Sequence, residues 1–274
     1  MPLTRPSGGV NLGAFNRIVR AAAFSGILAG LLLTAVQQVQ VSKIILQAET
    51  YEDAASAAPQ PEHVHAAPVQ HVHADGHAHT HEAAPAHAHD GAAEPAHSHD
   101  GGAAHSHAGW QPENGAERTF FTAVANISMA VGFGLLLAGA ISLRGQVTGW
   151  RAGLLWGAAG YGVFFLAPSI GLPPEVPGTA AAPLAARQMW WLTTVAASAG
   201  GLALLVFARG LPLRALGAAV LFVPHLVGAP QPEVHASTAP AELARAFIYA
   251  TAWANGAFWL ALGALAGFFY KKSA

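Results

Sequence analysis

The sequence predicts an all-α polytopic membrane protein of about six transmembrane helices, with one long, disordered, His-rich loop on the outer side. Three observations carry this reading. Apolar residues make up 53% of the 274-residue chain and charged residues only 10%, against roughly 25% charged in an average soluble protein. The apolar residues gather into six runs. The histidines gather elsewhere, thirteen of the fifteen falling between His63 and His107.

The six runs cover residues 18–41, 120–143, 150–167, 188–208, 213–227 and 246–270. A spanning helix needs about 20 mainly apolar residues, which the first, second, fourth and sixth runs supply. The third fits if Trp150 and Pro168 mark its ends, and the fifth is short and contains Pro224. Arg17 and Arg20 at the start of the first run resemble the start of a signal peptide. That run is too long for one, however, and Gln37, Gln38 and Gln40 stand where small cleavage-site residues would be expected. A retained first helix is expected.

Charge placement separates six spans from five. With the N-terminus in the cytoplasm and all six runs crossing, the inner side holds Arg5, Arg17, Arg20, Arg144, Arg151, Arg209, Arg214, Lys271 and Lys272. The outer side holds Lys43, Arg118, Arg187 and Arg245, and all fourteen acidic residues. Cytoplasmic loops carry the excess of Lys and Arg, so six spans fit, with both termini cytoplasmic in a bacterial inner membrane and the His-rich loop periplasmic. The expected division is 1–50 for the N-terminus and first helix, 51–117 for the loop, and 118–274 for a five-helix bundle.

Composition also excludes function classes. Thirteen Lys/Arg against fourteen Asp/Glu leave no basic face for nucleic acid. Without cysteine there is no disulfide framework, thiolate site or Cys nucleophile. No phosphate-binding loop and no paired acid/base motif is present, so an enzyme is not expected. Gly26 and Gly30 form a small-xxx-small pair that favours close helix packing.

The loop is made of Ala, Pro, His, Gly and Asp and cannot bury enough surface to offset its ordering entropy. Its unit is His-x-His. The units are His63 with His65, His71 with His73, the triple His77, His79 and His81, His87 with His89, His97 with His99, and His105 with His107. Residues two apart in an extended chain point the same way, so paired imidazoles converge on one ion. Asp75, Asp90 and Asp100 lie close enough to add oxygen ligands. Neutral imidazole suits zinc, copper, nickel and other divalent transition ions. The bland alternative is a hydrophilic spacer.

Polar residues near the runs give further candidates. Gln38, Glu49 and Glu52 would share one stripe if the first helix continued past the lipid, forming a ladder of oxygen ligands or a solvated helix end. Asn126 and Asn255 could line a pore or hydrogen-bond between helices. His225, beside Pro224 and close to Gly228 and Pro230, is either a metal ligand or proton relay at membrane depth or a packed histidine. Glu175 and Arg187 are expected to pair, and Trp190 and Trp191 to anchor the outer interface.

Several strings resemble the CbtA family of predicted cobalt transporter subunits. They are Arg17-Ile-Val-Arg20 before a helix ending in Gln37-Gln38, then Ile45-Leu-Gln-Ala-Glu49-Thr-Tyr51-Glu52. Leu166-Ala-Pro-Ser-Ile-Gly-Leu-Pro-Pro-Glu175-Val-Pro-Gly178, Arg187-Gln-Met-Trp-Trp191 and Pro224-His225-Leu-Val-Gly-Ala-Pro230 complete the set. The resemblance covers nearly all the chain outside the His-rich loop. It implies cobalt uptake linked to cobalamin supply, with a small one-span CbtB-type partner. Such proteins are commonly described with five spans, where the charge pattern here favours six. Cobalt comes only from this resemblance, since the ligands alone admit nickel, zinc or copper.

The expected function is a transporter subunit embedded in membrane lipid. Its metal ligands would be the tract histidines, Glu49, Glu52 and His225. A membrane-anchored metal sensor or buffer without flux is the alternative from another class.

Overall fold

A computed structural model describes residues 12–57, 71–72, 78–79, 110, 112–145 and 149–273. The chain divides into two compact units, Met1–Ser56 with Pro112–Ala274, and Ala57–Gln111. In the second, strands β1 (His71–Val72) and β2 (Ala78–His79) form a two-residue antiparallel pair with His71 opposite His79. The other expected tract ligands, His63, His65, His73, His77, His81, His87, His89, His97, His99, His105 and His107, lie outside the described residues. So do the side chains of His71 and His79.

The first unit is helical. In chain order it contains α1 (Leu12–Val39), α2 (Val41–Ala57), α3 (Ala116–Leu143), α4 (Trp150–Tyr161), a π-helical segment (Gly162–Leu166), α5 (Ala167–Gly171), α6 (Leu184–Phe207), α7 (Leu211–Val227) and α8 (Ala241–Lys272). Five stretches are long and apolar enough to cross a membrane: α1, α3, the continuous Trp150–Gly171 run, α6 and α8. The protein is an all-α polytopic membrane protein. Helix α7 has 17 residues and so spans about 25 Å. It runs back along α6, since Gly217 meets Gly201 midway and His225 meets the Trp190 ring near the far end. It therefore returns to the level at which α6 began.

Pro168 does not end the third run. A proline lacks an N–H and crowds the carbonyl four residues back, but here the chain widens just before it. The Ala167 amide bonds the Gly162 carbonyl, five residues back, and the helix resumes to Gly171. Tyr161 steadies this segment by donating its hydroxyl to the Ala252 carbonyl of α8 at 3.1 Å.

Helices meet where side chains vanish. On the α1–α3 seam, a Cβ at Gly26 would sit 2.6 Å from the Val131 Cα, and one at Gly30 2.6 Å from the Ile127 Cα. On the α4–α8 seam, Gly153 faces the Gly263 carbonyl, Gly157 faces the Trp259 carbonyl, and Gly267 faces the Gly149 carbonyl. The core of large side chains, including Phe258, Trp259 and Leu262 of α8, lies between α1, α3 and α4.

The helix ends sort by charge. Arg17 lies over Tyr270, Arg144 over Phe207 and Arg151 over Trp150 at one end. The three ion pairs among the described residues, Arg118–Glu49, Arg187–Glu175 and Arg245–Glu242, stand at the opposite end.

The glycine seams predict unequal tolerance of bulk. Gly157→Leu should destabilise the α4–α8 pair by about 1–3 kcal/mol, the usual range for forced overpacking. Gly200→Leu, where a Cβ meets open space, should change little. Thermal unfolding of the detergent-purified variants compares the two.

Candidate functional site

The acidic end is built around an elbow. Helix α1 stops at Val39, Gln40 forms a turn, and α2 sets off over the end of the bundle. A stripe of α2 made by Val41, Ile44, Ile45 and Ala48 packs into the core cluster, which also contains Val176 and Ala239 from the two long connecting loops. This spacing of three and four residues continues to Glu49 and Glu52, which are half-buried while their neighbours Thr50, Tyr51 and Asp53 are exposed. Gln38 belongs to α1, so the expected single ladder of Gln38, Glu49 and Glu52 is interrupted by the turn.

Glu49 is held by a guanidinium. Arg118, in the first turn of α3, donates from Nη2 to Glu49 Oε1 at 2.6 Å and from Nη1 to Oε2 at 3.0 Å. Arg118 Nη1 also donates to Asn114 Oδ1 at 2.8 Å. Two parallel charge-assisted bonds make this a strong, directional pair. It ties α2 to α3 at the point from which the chain leaves α2 toward the histidines and re-enters at α3. Glu52 takes a different neighbour: its Cβ lies beside Gly178. There the two long loops are joined, with Ala180 N donating to the Ala236 carbonyl at 2.9 Å and Thr238 N to the Gly178 carbonyl at 3.1 Å. Gly178, at φ +74°, approaches Thr238 so closely that a side chain would collide with its hydroxyl.

Below the ion pair, α3 presents Thr122 and Asn126 at four-residue steps from Arg118. Asn126 is buried and donates from Nδ2 to Gln37 Oε1 at 2.7 Å and to Thr34 Oγ1 at 3.0 Å on α1. Of the two uses expected for this asparagine, the structure shows the interhelical one. Asn255 instead donates to the Thr251 carbonyl of its own helix. The polar column ends where Gly30 and Gly26 press against Ile127 and Val131.

His225 packs edge-on against Trp190 with ring centroids 6.1 Å apart. Pro224 and Gly228, which flank it, line a cleft of about 400 Å³ between the ends of α6 and α7. Trp190 is not an interface anchor. It is buried, 8% exposed, because its ring fills the space left by Gly171, and its indole N–H has no partner among the described residues. Trp191 instead approaches Phe164, at 6.4 Å. Glu175 and Arg187 pair as expected, at 3.3 Å.

Sequence reasoning passed over His235. It shares with Glu175, Gln231, Thr179 and Ser237 a second cleft of about 370 Å³, formed by the joined loops. The sequence carries no signal for this, because the loops lie some sixty positions apart. Among the described residues, no three His, Cys, Asp or Glu side chains gather tightly enough to hold a metal ion. The expected ligands Glu49, Glu52 and His225 therefore do not form one such group, and Glu49 is already engaged by Arg118. The tract pairs, such as His63 with His65, His87 with His89 and His97 with His99, fall outside the described residues.

The buried asparagine gives a measurable expectation. Asn126→Ala should lower stability by about 0.6–1.7 kcal/mol, the range for hydrogen bonds between membrane helices. A double-mutant cycle with Gln37→Ala, read by unfolding in mixed micelles, should assign most of that cost to the pair.

No curated protein and no solved structure matches the chain. The family comparison gives a match over residues 15–271 to CbtA, described as "Probable cobalt transporter subunit". That interval takes in both clefts, the Arg118–Glu49 pair and every membrane-crossing helix apart from the first three residues of α1 and the last of α8, and the chain belongs to the CbtA family.

Proposed function

We propose that the chain is the membrane-embedded subunit of a bacterial inner-membrane cobalt uptake system serving cobalamin supply. In this reading both termini are cytoplasmic, the histidine tract is periplasmic, and a small one-span CbtB-type subunit completes the transporter. The observation that carries the reading is the separation of charge along the bundle. The acidic residues among those described and both attachment points of the tract, on α2 and α3, share one end. The arginines that lack a carboxylate among the described residues share the other. A cation is drawn to the first end, and the positive-inside bias gives the second end to the cytoplasm.

The tract raises the local concentration of Co²⁺ through pairs of neutral imidazoles, such as His63 with His65, His71 with His73, and His79 with His81. Transfer to the bundle then requires a vacant carboxylate. Glu49 becomes one only when Arg118 lets go, so the incoming ion and the guanidinium compete for the same two oxygens. Glu52, one turn along α2, adds a second carboxylate. A divalent ion replacing a monovalent guanidinium loosens α2 from α3, which couples arrival of metal to movement of the elbow. His225, beside the carbonyl that Pro224 leaves without an amide donor, serves further along the α6–α7 side.

Three measurements test this reading. Labelled-cobalt uptake into cells should fall when residues 63–107 are deleted, most clearly at low external cobalt, where capture limits the flux. Uptake insensitive to both this deletion and His225→Ala overturns the mechanism. Arg118→Gln should free Glu49 and tighten Co²⁺ binding to a tract-deleted protein in calorimetry, whereas the added change Glu49→Gln should abolish that gain.

The pH dependence has a definite sign. Imidazole binds metal only when neutral, so affinity of the tract is full above the ordinary His pKa of about 6.5 and is lost as pH falls through it. Well below that value, Co²⁺ affinity should drop about ten-fold per pH unit for each histidine that must lose a proton. Titrations at several pH values between neutrality and mild acid read the slope.

A further inference from the structure

At the basic end, three guanidinium groups stand around the turn between α6 and α7. Arg144, which caps α3, lies over the Phe207 ring at 4.7 Å from its centroid. Arg214, in the first turn of α7, donates from Nε to the Ala208 carbonyl at 3.3 Å. Arg209 occupies the turn itself, and all three side chains are exposed.

Among the described residues, none of these charges is neutralised by a carboxylate at this end of the bundle. The fourteen acidic residues of the sequence all fall between Glu49 and Glu117, between Glu175 and Arg187, or between Glu233 and Arg245. Those stretches begin or end at the opposite end of the bundle, where Arg118, Arg187 and Arg245 find their carboxylates. Among the described residues, Arg144 and Arg214 contact an aromatic ring and a carbonyl, and neither they nor Arg209 meets a carboxylate. Among the described residues no carboxylate meets these arginines, which leaves them open to an anion from outside the chain.

The surroundings select the kind of anion. Leu143 is 92% exposed and Leu211 79% exposed, immediately beside these arginines, with Phe207 and Leu213 also exposed. A free inorganic anion would satisfy the guanidinium groups and leave this apolar rim uncovered. An amphiphile satisfies both, with its phosphate on the arginines and its acyl chains along the helix ends. Guanidinium is the side chain best matched to phosphate oxygens, and basic pockets between membrane helices are suited to anionic head groups.

We propose that Arg144, Arg209 and Arg214, at the junction of α3 with the α6–α7 hairpin, bind the head group of an anionic phospholipid. The lipid links two parts of the bundle that meet at this end through Phe207, which also lies near Trp156 at 6.2 Å. This inference does not depend on which metal, if any, the protein moves.

The test is native mass spectrometry of the full chain released from micelles containing phosphatidylglycerol or phosphatidylcholine. Phosphatidylglycerol should be retained in preference. Each of Arg144→Gln, Arg209→Gln and Arg214→Gln should weaken retention about five-fold, as expected for one basic residue near an anionic head group. The triple Lys variant should keep part of the preference, and Arg245→Gln at the other end should keep all of it. Equal retention of the two lipids by the wild type overturns the proposal, as does full retention by the triple Gln variant. Displacement of phosphatidylglycerol by inorganic phosphate alone also overturns it, by showing an ion site without a lipid. If the triple Gln variant does not fold, the wild-type lipid preference and the Lys variant decide the matter.

Discussion

Helices in hydrocarbon gain little from hiding apolar surface, because lipid tails are as apolar as leucine, and they must associate through close contact and hydrogen bonds instead. This chain meets that constraint with glycine. Gly26 and Gly30 bring α1 against the backbone of α3, and Gly153 and Gly157 bring α4 against Gly263 and Trp259 of α8. Gly201 and Gly217 do the same for α6 and α7. The large aromatic side chains then fill what the glycines leave: Trp259 stacks on Phe164 at 5.3 Å and tilts against Phe133 at 4.7 Å. The seams set the helix positions, and these in turn set which loop ends can meet.

The meeting of loop ends makes the candidate site. Because α6 and α7 lie back to back, the connections before α6 and after α7 arrive side by side. There Thr179 bridges Ser237, and a cleft holding Glu175 and His235 opens beneath them. Because α1 is fixed to α3, the elbow at Gln40 carries α2 across the same end, where Arg118 clasps Glu49. In the proposed reading this guanidinium–carboxylate pair is a reversible closure for a cation route, since the guanidinium holds the carboxylate until another cation displaces it. Such a device suits a protein of a transporter-subunit family better than a permanent ligand cage would, since an ion in transit has to be released.

Much of the architecture was legible from residue order. The run lengths and the distribution of Arg and Lys point to a helical membrane bundle with opposed charged ends, and Glu175 and Arg187 were readable as partners. Other features were not. Pro168 looks like a terminator until the π-helical segment beside it is seen. Trp190 looks like an interface anchor until Gly171 is found to leave room for it. Glu49 looks like an open ligand because its partner Arg118 is 69 positions away. In each case the deciding contact comes from another helix or is a change in backbone geometry, and neither leaves a local trace.

Residue order alone therefore determined the helical class, the count of apolar runs, the sorting of charge between two ends and the family strings. These depend on local composition and on transfer energies, which act residue by residue. Tertiary structure decided which glycines became seams, that α1 and α2 bend apart at Gln40, that Asn126 bonds to Gln37 and Thr34, and that His235 shares a cleft with Glu175. Those outcomes depend on distances between segments far apart in the chain, which only the packed backbone sets.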